Sequence, residues 1–329
     1  MVIEDVPVPE LSRGDVLVRM KASGICGTDL EKVQGALGPG GVLGHEVSGI
    51  VEEVGGAVVG VSRGDRVVAH HHVPCYSCYY CVRGDFTICD TFKKTNFDPC
   101  GMADLFKVSE FNAARGALIP LPATLSFESG AMIEPTACCI RAIRRIGVKP
   151  EESVLVVGLG PTGLTHVQLL RRITSGKIIG TDVVEARIET GKRMGADETI
   201  DPITRDVPKE VKKLTGVGVD IAVVATGNER ALLQALESVR KGGRILLFGA
   251  PPREARFNLD LGLLFSSQMS FTTSYSCIEA EMHHAIEAVV EGSVDLGSII
   301  TNRFKLRNAI EALETAKSSK TAVKTMIVA

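Results

Sequence analysis

The stretch "SVLVVGLGPTGLTHVQLLRRI", residues 153–173, constrains the fold more than any other part of this 329-residue chain. "SVLVVG" is an unbroken apolar run, as expected of a strand in a parallel sheet with both faces covered. "PTGLTHVQLLRRI" then takes up helical spacing. Gly158, Gly160 and Gly163 stand at the G-x-G-x-x-G spacing, with Pro161 and Thr162 in the same turn. Between a buried strand and a helix, the first glycine makes the tight turn and the second lets backbone approach a pyrophosphate. The third packs helix on strand. The helix N-terminus then offers unpaired N–H groups and its positive dipole end to the phosphates. The next strand, "IIGTD", ends on Asp182, at the distance of an acid that grips the adenosine ribose hydroxyls. A carboxylate there repels a 2′-phosphate, so the pattern points to NAD rather than NADP. Arg187, five residues on, either lines the adenine side or faces solvent.

The same alternation continues through "ARIETGKRMGA", "DETI", "VDIAVVAT", "RALLQALESVRKG" and "GRILLFGA". Strand and helix in turn predict an α/β, Rossmann-type, doubly wound parallel sheet. The first third of the chain reads differently. "GDVLVRMKASGI", "VSGIVEEVG" and "GDRVVAHHHV" are short Val- and Ile-rich runs broken by Gly and Asp, the pattern of a small barrel or sandwich. The character changes near Pro135, and Thr136–Gly147 has an apolar face opposite an arginine face, predicting a helix. Beyond Ser274, "IEAEMHHAIEAVVEG" and "AIEALETAKS" read as helices before a closing strand, "TMIVA". The expected organisation is one domain from 1–139 with 273–329, and a nucleotide domain from 140–272.

Net charge is −2 and no long run of like charge occurs, so nothing favours a nucleic-acid partner. No apolar stretch reaches the ~18 residues of a membrane helix. "VIEDVPVPE" after Met1 is acidic and proline-punctuated, unlike an export signal, so a cytoplasmic location is expected. There thiols stay reduced, and an odd total of nine cysteines fits poorly with a full disulfide framework.

Four of the nine, Cys75, Cys78, Cys81 and Cys89, fall within fifteen residues. A redox C-x-x-C pair needs neither the third nor the fourth. Four thiolates fill a tetrahedral site and leave no open position, so this cluster predicts a structural metal. Cys26 in "SGICGTD", His45 and Glu46 in "LGHEVSG", and Glu134 in "MIEPTACC" offer a second donor set suited to zinc. Taken singly, they also read as a buried thiol, a satisfied histidine and helix-leading acids. Cys100, Cys138, Cys139 and Cys277 read as packing residues. The row His70–His72 reads as strand, where neighbours point to opposite faces, and so not as a metal tract.

In their order, "GICGTD", "GHEVSGIVEEVG", the cysteine cluster, "EPTACC" and "GLGPTG" resemble the zinc-containing medium-chain dehydrogenases. The resemblance covers nearly the whole chain and lies on the sorbitol and threonine dehydrogenase branch. It implies a GroES-like catalytic domain with a structural-zinc lobe at about 74–100, and an active site in the cleft between the domains. It implies a catalytic zinc on Cys26, His45 and Glu46, with Glu134 binding directly or through water. Thr28 would relay the substrate proton, and Asp29 would support a zinc ligand. Two zincs per chain and NAD would serve hydride transfer from a secondary alcohol or polyol. L-Threonine is the alternative substrate, and a non-catalytic binding protein on the same fold is the less favoured reading. A dimer or tetramer is implied.

His72 stands where threonine dehydrogenases carry a pocket histidine. Family members usually begin with an additional strand, so Met1 reads as a shortened start or the barrel as lacking an edge. The segment between Cys26 and His45 is shorter than in the family. Where sorbitol dehydrogenases place an Arg-Tyr pair, "SFTTSYSC" offers Thr272 and Thr273, with Tyr275 slightly later.

Overall fold

In the computed structural model, which describes residues 1–35, 43–252 and 254–329, the Val- and Ile-rich runs of the first third pair as expected. Strand β1 (Val16–Gly24) is followed by helix α1 (Gly27–Val33), then β2 (Glu46–Val54) and β3 (Arg66–Ala69). After the cysteine-rich lobe come β4 (Leu105–Val108), α2 (Glu110–Ala113), β5 (Leu118–Pro120), α3 (Phe127–Ala131) and α4 (Ile133–Ile146). Next follow β6 (Val154–Val157), α5 (Pro161–Ile173), β7 (Ile178–Thr181), α6 (Glu185–Arg193) and β8 (Glu198–Ile200). The alternation continues with α7 (Val207–Thr215), β9 (Val219–Val224), α8 (Glu229–Ser238), β10 (Val239–Leu247), α9 (Leu261–Ser267) and β11 (Ser270–Thr273). The chain closes with α10 (Glu279–Val290), β12 (Ile300–Lys305), α11 (Ala309–Ser318) and β13 (Lys324–Val328).

Two units result. The first comprises residues 1–137, 276–292 and 296–329, and the second 138–275 and 293–295. These divisions fall close to, but not at, the expected boundaries after 139 and 272. Strand β1 organises the first unit. It pairs with β2 along its length, and with β4 over Val16–Arg19 and β13 over Ala22–Gly24. Val16, Val18 and Met20 are buried with Val47, Val51, Val67 and Phe106 in the core of this sheet.

The second unit is a six-stranded sheet in the order β11-β10-β9-β6-β7-β8, with every neighbouring pair parallel. All four residues of β6 are buried, as a strand between two helical layers requires. The sheet grows outward from β6 in both directions, which puts the topological switch point, and the glycine turn after β6, together.

Three local expectations need correcting. Strand β3 ends at Ala69, so the histidine row leaves the sheet and strand alternation does not govern it. Helix α4 begins at Ile133 rather than Thr136, because Pro135 sits in its first turn, where the missing N–H costs nothing. Helix α8 stops at Ser238, and the "VRKG" stretch expected in the helix opens β10 instead. Residues 36–42, within the short segment between Cys26 and His45, lie outside the described residues.

One polar link ties together the starts of the neighbouring strands β6, β9 and β10. Asp220 at the start of β9 accepts the Ser153 amide and hydroxyl, both at 2.8 Å, and Arg240 Nε at 2.7 Å. Burial pushes its carboxyl up, but Arg240 and Ser153 outweigh it and hold the group below its ordinary value. A depressed carboxyl pKa stabilises the fold above the unfolded value and loses that contribution as pH falls through the folded one. Asp220→Asn is therefore expected to cost about 1–3 kcal/mol at neutral pH. Denaturant melts should show the difference shrinking as the pH is lowered through the carboxylate range.

Candidate active site

The Cys26 turn is built by its own helix. Asp29, in the first turn of α1, accepts the Cys26 amide at 3.0 Å and the Gly44 amide at 3.1 Å, and its Oδ1 lies 3.7 Å from His45 Nδ1. One buried carboxylate thus ties the cysteine turn to the histidine loop. Burial would raise the Asp29 carboxyl, yet His45 and the two amides hold it below its usual range. Burial likewise opposes charge on His45, but the Cys26 thiol and Asp29 raise it well above an ordinary imidazole. Glu46, the next residue, opens β2 and is buried. Ligand atoms of Cys26, His45 and Glu46 all lie within 4.8 Å of one another.

Lys324, which sequence reasoning passed over, completes this cluster from β13. Its ammonium pairs with Glu46 Oε2 and donates to the Ile25 carbonyl at 2.9 Å. Burial disfavours its charge, but Glu46, Cys26 and Asp29 keep its pKa above the ordinary value. A lysine opening the closing strand "KTMIV" was the available signal. Gly24 makes room for the pair: a Cβ there would come within 2.1 Å of Glu46 Oε2. Thr28 Oγ1 is buried and has no hydrogen-bond partner among the described residues.

The three histidines separate. His72 Nδ1 bonds to the Thr95 carbonyl at 2.6 Å, and burial pushes its pKa down to about 4. His71, also missed, stacks 3.8 Å from the His72 ring and 4.9 Å from that of His45. Burial and the neighbouring imidazoles hold it well below an ordinary histidine, hence neutral. His70 and Glu134 are gathered elsewhere, with Cys277, so the structure does not group Glu134 with the Cys26 trio.

In the lobe, sulfur separations are 3.9 Å for Cys75–Cys81, 3.6 Å for Cys78–Cys81 and 3.6 Å for Cys75–Cys89. Tetrahedral zinc with Zn–S near 2.3 Å sets its sulfurs about 3.8 Å apart. The Ser77 amide and hydroxyl lower Cys75 to about 6, whereas burial and adjacent sulfurs push Cys81 up to about 12. Four such thiols ionise together only when a cation supplies the balancing charge. The residues fit a closed, structural metal.

The glycine turn in the second unit behaves as its chemistry requires. Gly158 has φ +93°, and a Cβ on Gly163 would strike the Gly158 carbonyl at 1.9 Å. At Gly160 nothing lies within 4 Å of the Cβ position, leaving the backbone open beside Pro161 and Thr162 at the start of α5. Asp182 accepts the Leu159 amide at 2.8 Å and the Val184 amide at 2.9 Å. Each carboxylate oxygen retains a second lone pair for a ribose hydroxyl. Arg187 turns toward Asp182, with Nη1 3.9 Å from Oδ2. Thr272 and Thr273 lie in β11 of this unit, and Tyr275 is half exposed beyond it.

Comparison with known proteins agrees with both halves. Residues 12–122 match the family described as "Alcohol dehydrogenase GroES-like domain", and residues 161–291 match "Zinc-binding dehydrogenase". Sorbitol dehydrogenase of Bacillus subtilis is 31% identical over 97% of this chain and 91% of its own length. L-Threonine 3-dehydrogenase of Pyrococcus abyssi is 30% identical over 96% and 92%. A crystal structure described as a zinc-binding dehydrogenase from Sinorhizobium meliloti, bound to NADP, superposes with a TM-score of 0.88 at 26% identity, covering 98% of this chain and 94% of that one. With the glycine turn, the four-cysteine lobe and the Cys-His-Glu cluster in place, the chain belongs to the zinc-containing medium-chain dehydrogenases.

Proposed function

We propose that this protein oxidises a secondary alcohol or polyol with NAD⁺, using Cys26, His45 and Glu46 to hold a catalytic zinc. The convergence of those three ligand atoms within 4.8 Å, with Asp29 behind the imidazole, carries the reading. Bound there, zinc supplies a Lewis acid that eases loss of the alcohol proton. Asp29 fixes the His45 ring, as ligating histidines need. Lys324 supplies the counter-charge to Glu46 and holds one of its oxygens. Thr28, which the family resemblance makes the relay for the substrate proton, would serve that role with a hydroxyl that is buried without a partner among the described residues. The turn at Gly158–Gly163 takes the pyrophosphate, and Asp182 takes the ribose hydroxyls. The nicotinamide accepts the hydride. The cysteine lobe holds the second, structural zinc.

L-Threonine remains the second reading, supported by the Pyrococcus relative and by His72 beside the lobe. The family resemblance further supports a cytoplasmic dimer or tetramer. No helix among the described residues is long and apolar enough to cross a membrane.

The test is NAD⁺ reduction across sorbitol, xylitol, inositols, butanediol, simple secondary alcohols and L-threonine, repeated with NADP⁺. A polyol or secondary alcohol should give the highest kcat/KM, with NAD⁺ preferred. L-Threonine as the best substrate would establish the second reading, and no turnover on any substrate would overturn both. In Asp182→Ala, losing the ribose hydrogen bonds should reduce the NAD⁺ over NADP⁺ preference about ten- to a hundredfold. An unchanged ratio would remove Asp182 from cofactor selection.

A further inference from the structure

A second Cys-His-Glu trio lies in the first unit, assembled from residues far apart in the chain. His70 follows β3, Glu134 sits in the first turn of α4, and Cys277 precedes α10. All three are buried, and their ligand atoms lie within 4.8 Å of one another. Cys277 Sγ is 3.9 Å from His70 Nε2. Tetrahedral zinc, with Zn–S near 2.3 Å and Zn–N near 2.0 Å, separates such a pair by about 3.6 Å.

The surroundings of His70 have the form a ligating histidine requires. Its Nδ1 lies 3.0 Å from Glu279 Oε1, and the Tyr76 hydroxyl donates to the other Glu279 oxygen. A carboxylate behind the ring fixes its orientation and leaves Nε2 facing Cys277. Asp29 stands in the same relation to His45. Both clusters therefore combine a thiol, an imidazole and a carboxylate with a second carboxylate backing the imidazole. Tyr76 comes from the "CYSC" turn of the cysteine lobe, and Ile278, next to Cys277, packs with Cys81, Cys89 and Phe92. The lobe thus buttresses this second trio.

We propose that His70, Glu134 and Cys277 bind a third divalent cation, separate from those of the cysteine lobe and the Cys26 trio. Thiolate, imidazole and carboxylate together select zinc or a metal of similar softness. Three protein ligands leave a fourth position open. Glu279 and Tyr76 are positioning residues for His70. This site assigns Glu134, which the family resemblance gives to the catalytic zinc, to a different ion.

Elemental analysis of the zinc-loaded, dialysed full chain tests this, run beside Cys277→Ala, Cys26→Ala and the double variant. About three zincs per chain are expected in the parent, about two in each single variant and about one in the double. Equal zinc in parent and Cys277→Ala overturns the proposal, as does a double variant that loses no more than Cys26→Ala. A Cys26→Ala chain that keeps all its zinc strikes the proposed reaction instead and leaves this site standing. Glu279→Gln, which removes no ligand, covers the case in which Cys277→Ala fails to fold. It should weaken the third zinc about 10- to 100-fold in chelator competition, and unchanged competition would overturn the assignment.

Discussion

Cys26→Ala is expected to lose one zinc per chain and to lower kcat/KM by about a thousandfold or more, with the fold retained. A Lewis acid supplies several kcal/mol of transition-state stabilisation, and about 4 kcal/mol is a factor near a thousand. The fold should survive because Asp29 accepts the amide of residue 26, and the carbonyl of residue 26 accepts the Asp29 and Leu30 amides, all of which the substitution leaves in place. Circular dichroism, zinc content and steady-state kinetics on the best substrate would check this. Retained turnover in a chain that has lost that zinc would refute the assignment of Cys26, His45 and Glu46 to catalysis.

Cys81→Ser should produce the opposite division, a large loss of stability with little change in chemistry. Cys81 is buried and lies within 4 Å of two other sulfurs, 3.9 Å from Cys75 and 3.6 Å from Cys78. Breaking a closed zinc site forfeits metal-coupled folding energy of several kcal/mol. At about 2–4 °C per kcal/mol for a unit of this size, the thermal midpoint should fall by roughly 10 °C. Assayed well below that midpoint, kcat should stay within about threefold of the parent, because a closed site offers no position to substrate. A thousandfold fall in kcat at full folding would mean that the lobe takes part in the reaction. The two substitutions together separate the zinc of the Cys26 trio from that of the cysteine lobe by function rather than by count.

What could be read from the sequence was local. The glycine turn is legible because each glycine answers a steric demand within a few residues: φ at Gly158, and the contact between Gly163 and the Gly158 carbonyl. The cysteine cluster is legible because Cys75, Cys78 and Cys81 recur at C-x2-C spacing, with Cys89 close behind, a spacing that suits the ligands of one metal. Asp29 is three residues from Cys26, and its support of that turn is within reach of one helical turn. The parallel sheet followed from the alternation of apolar strands and helices, which fixes layer order before any contact is known.

Other features were decided only by tertiary pairing. Lys324 reaches Glu46 across 278 positions because β13 and β2 both pair with β1, a register no local pattern encodes. His70 meets Cys277 across 207 positions, and Glu134 joins them through the early start of α4. The strand periodicity that set the three histidines aside failed because β3 ends at Ala69, one residue before them. Side-chain chemistry and short-range sterics are properties of the sequence itself, so the nucleotide turn, the closed metal lobe and the donor types were determined there. Which distant donors share one metal, and which buried charge meets which counter-charge, depends on strand register and helix start. Only the folded chain sets these, and on them rests the division between the Cys26 trio and the His70 trio.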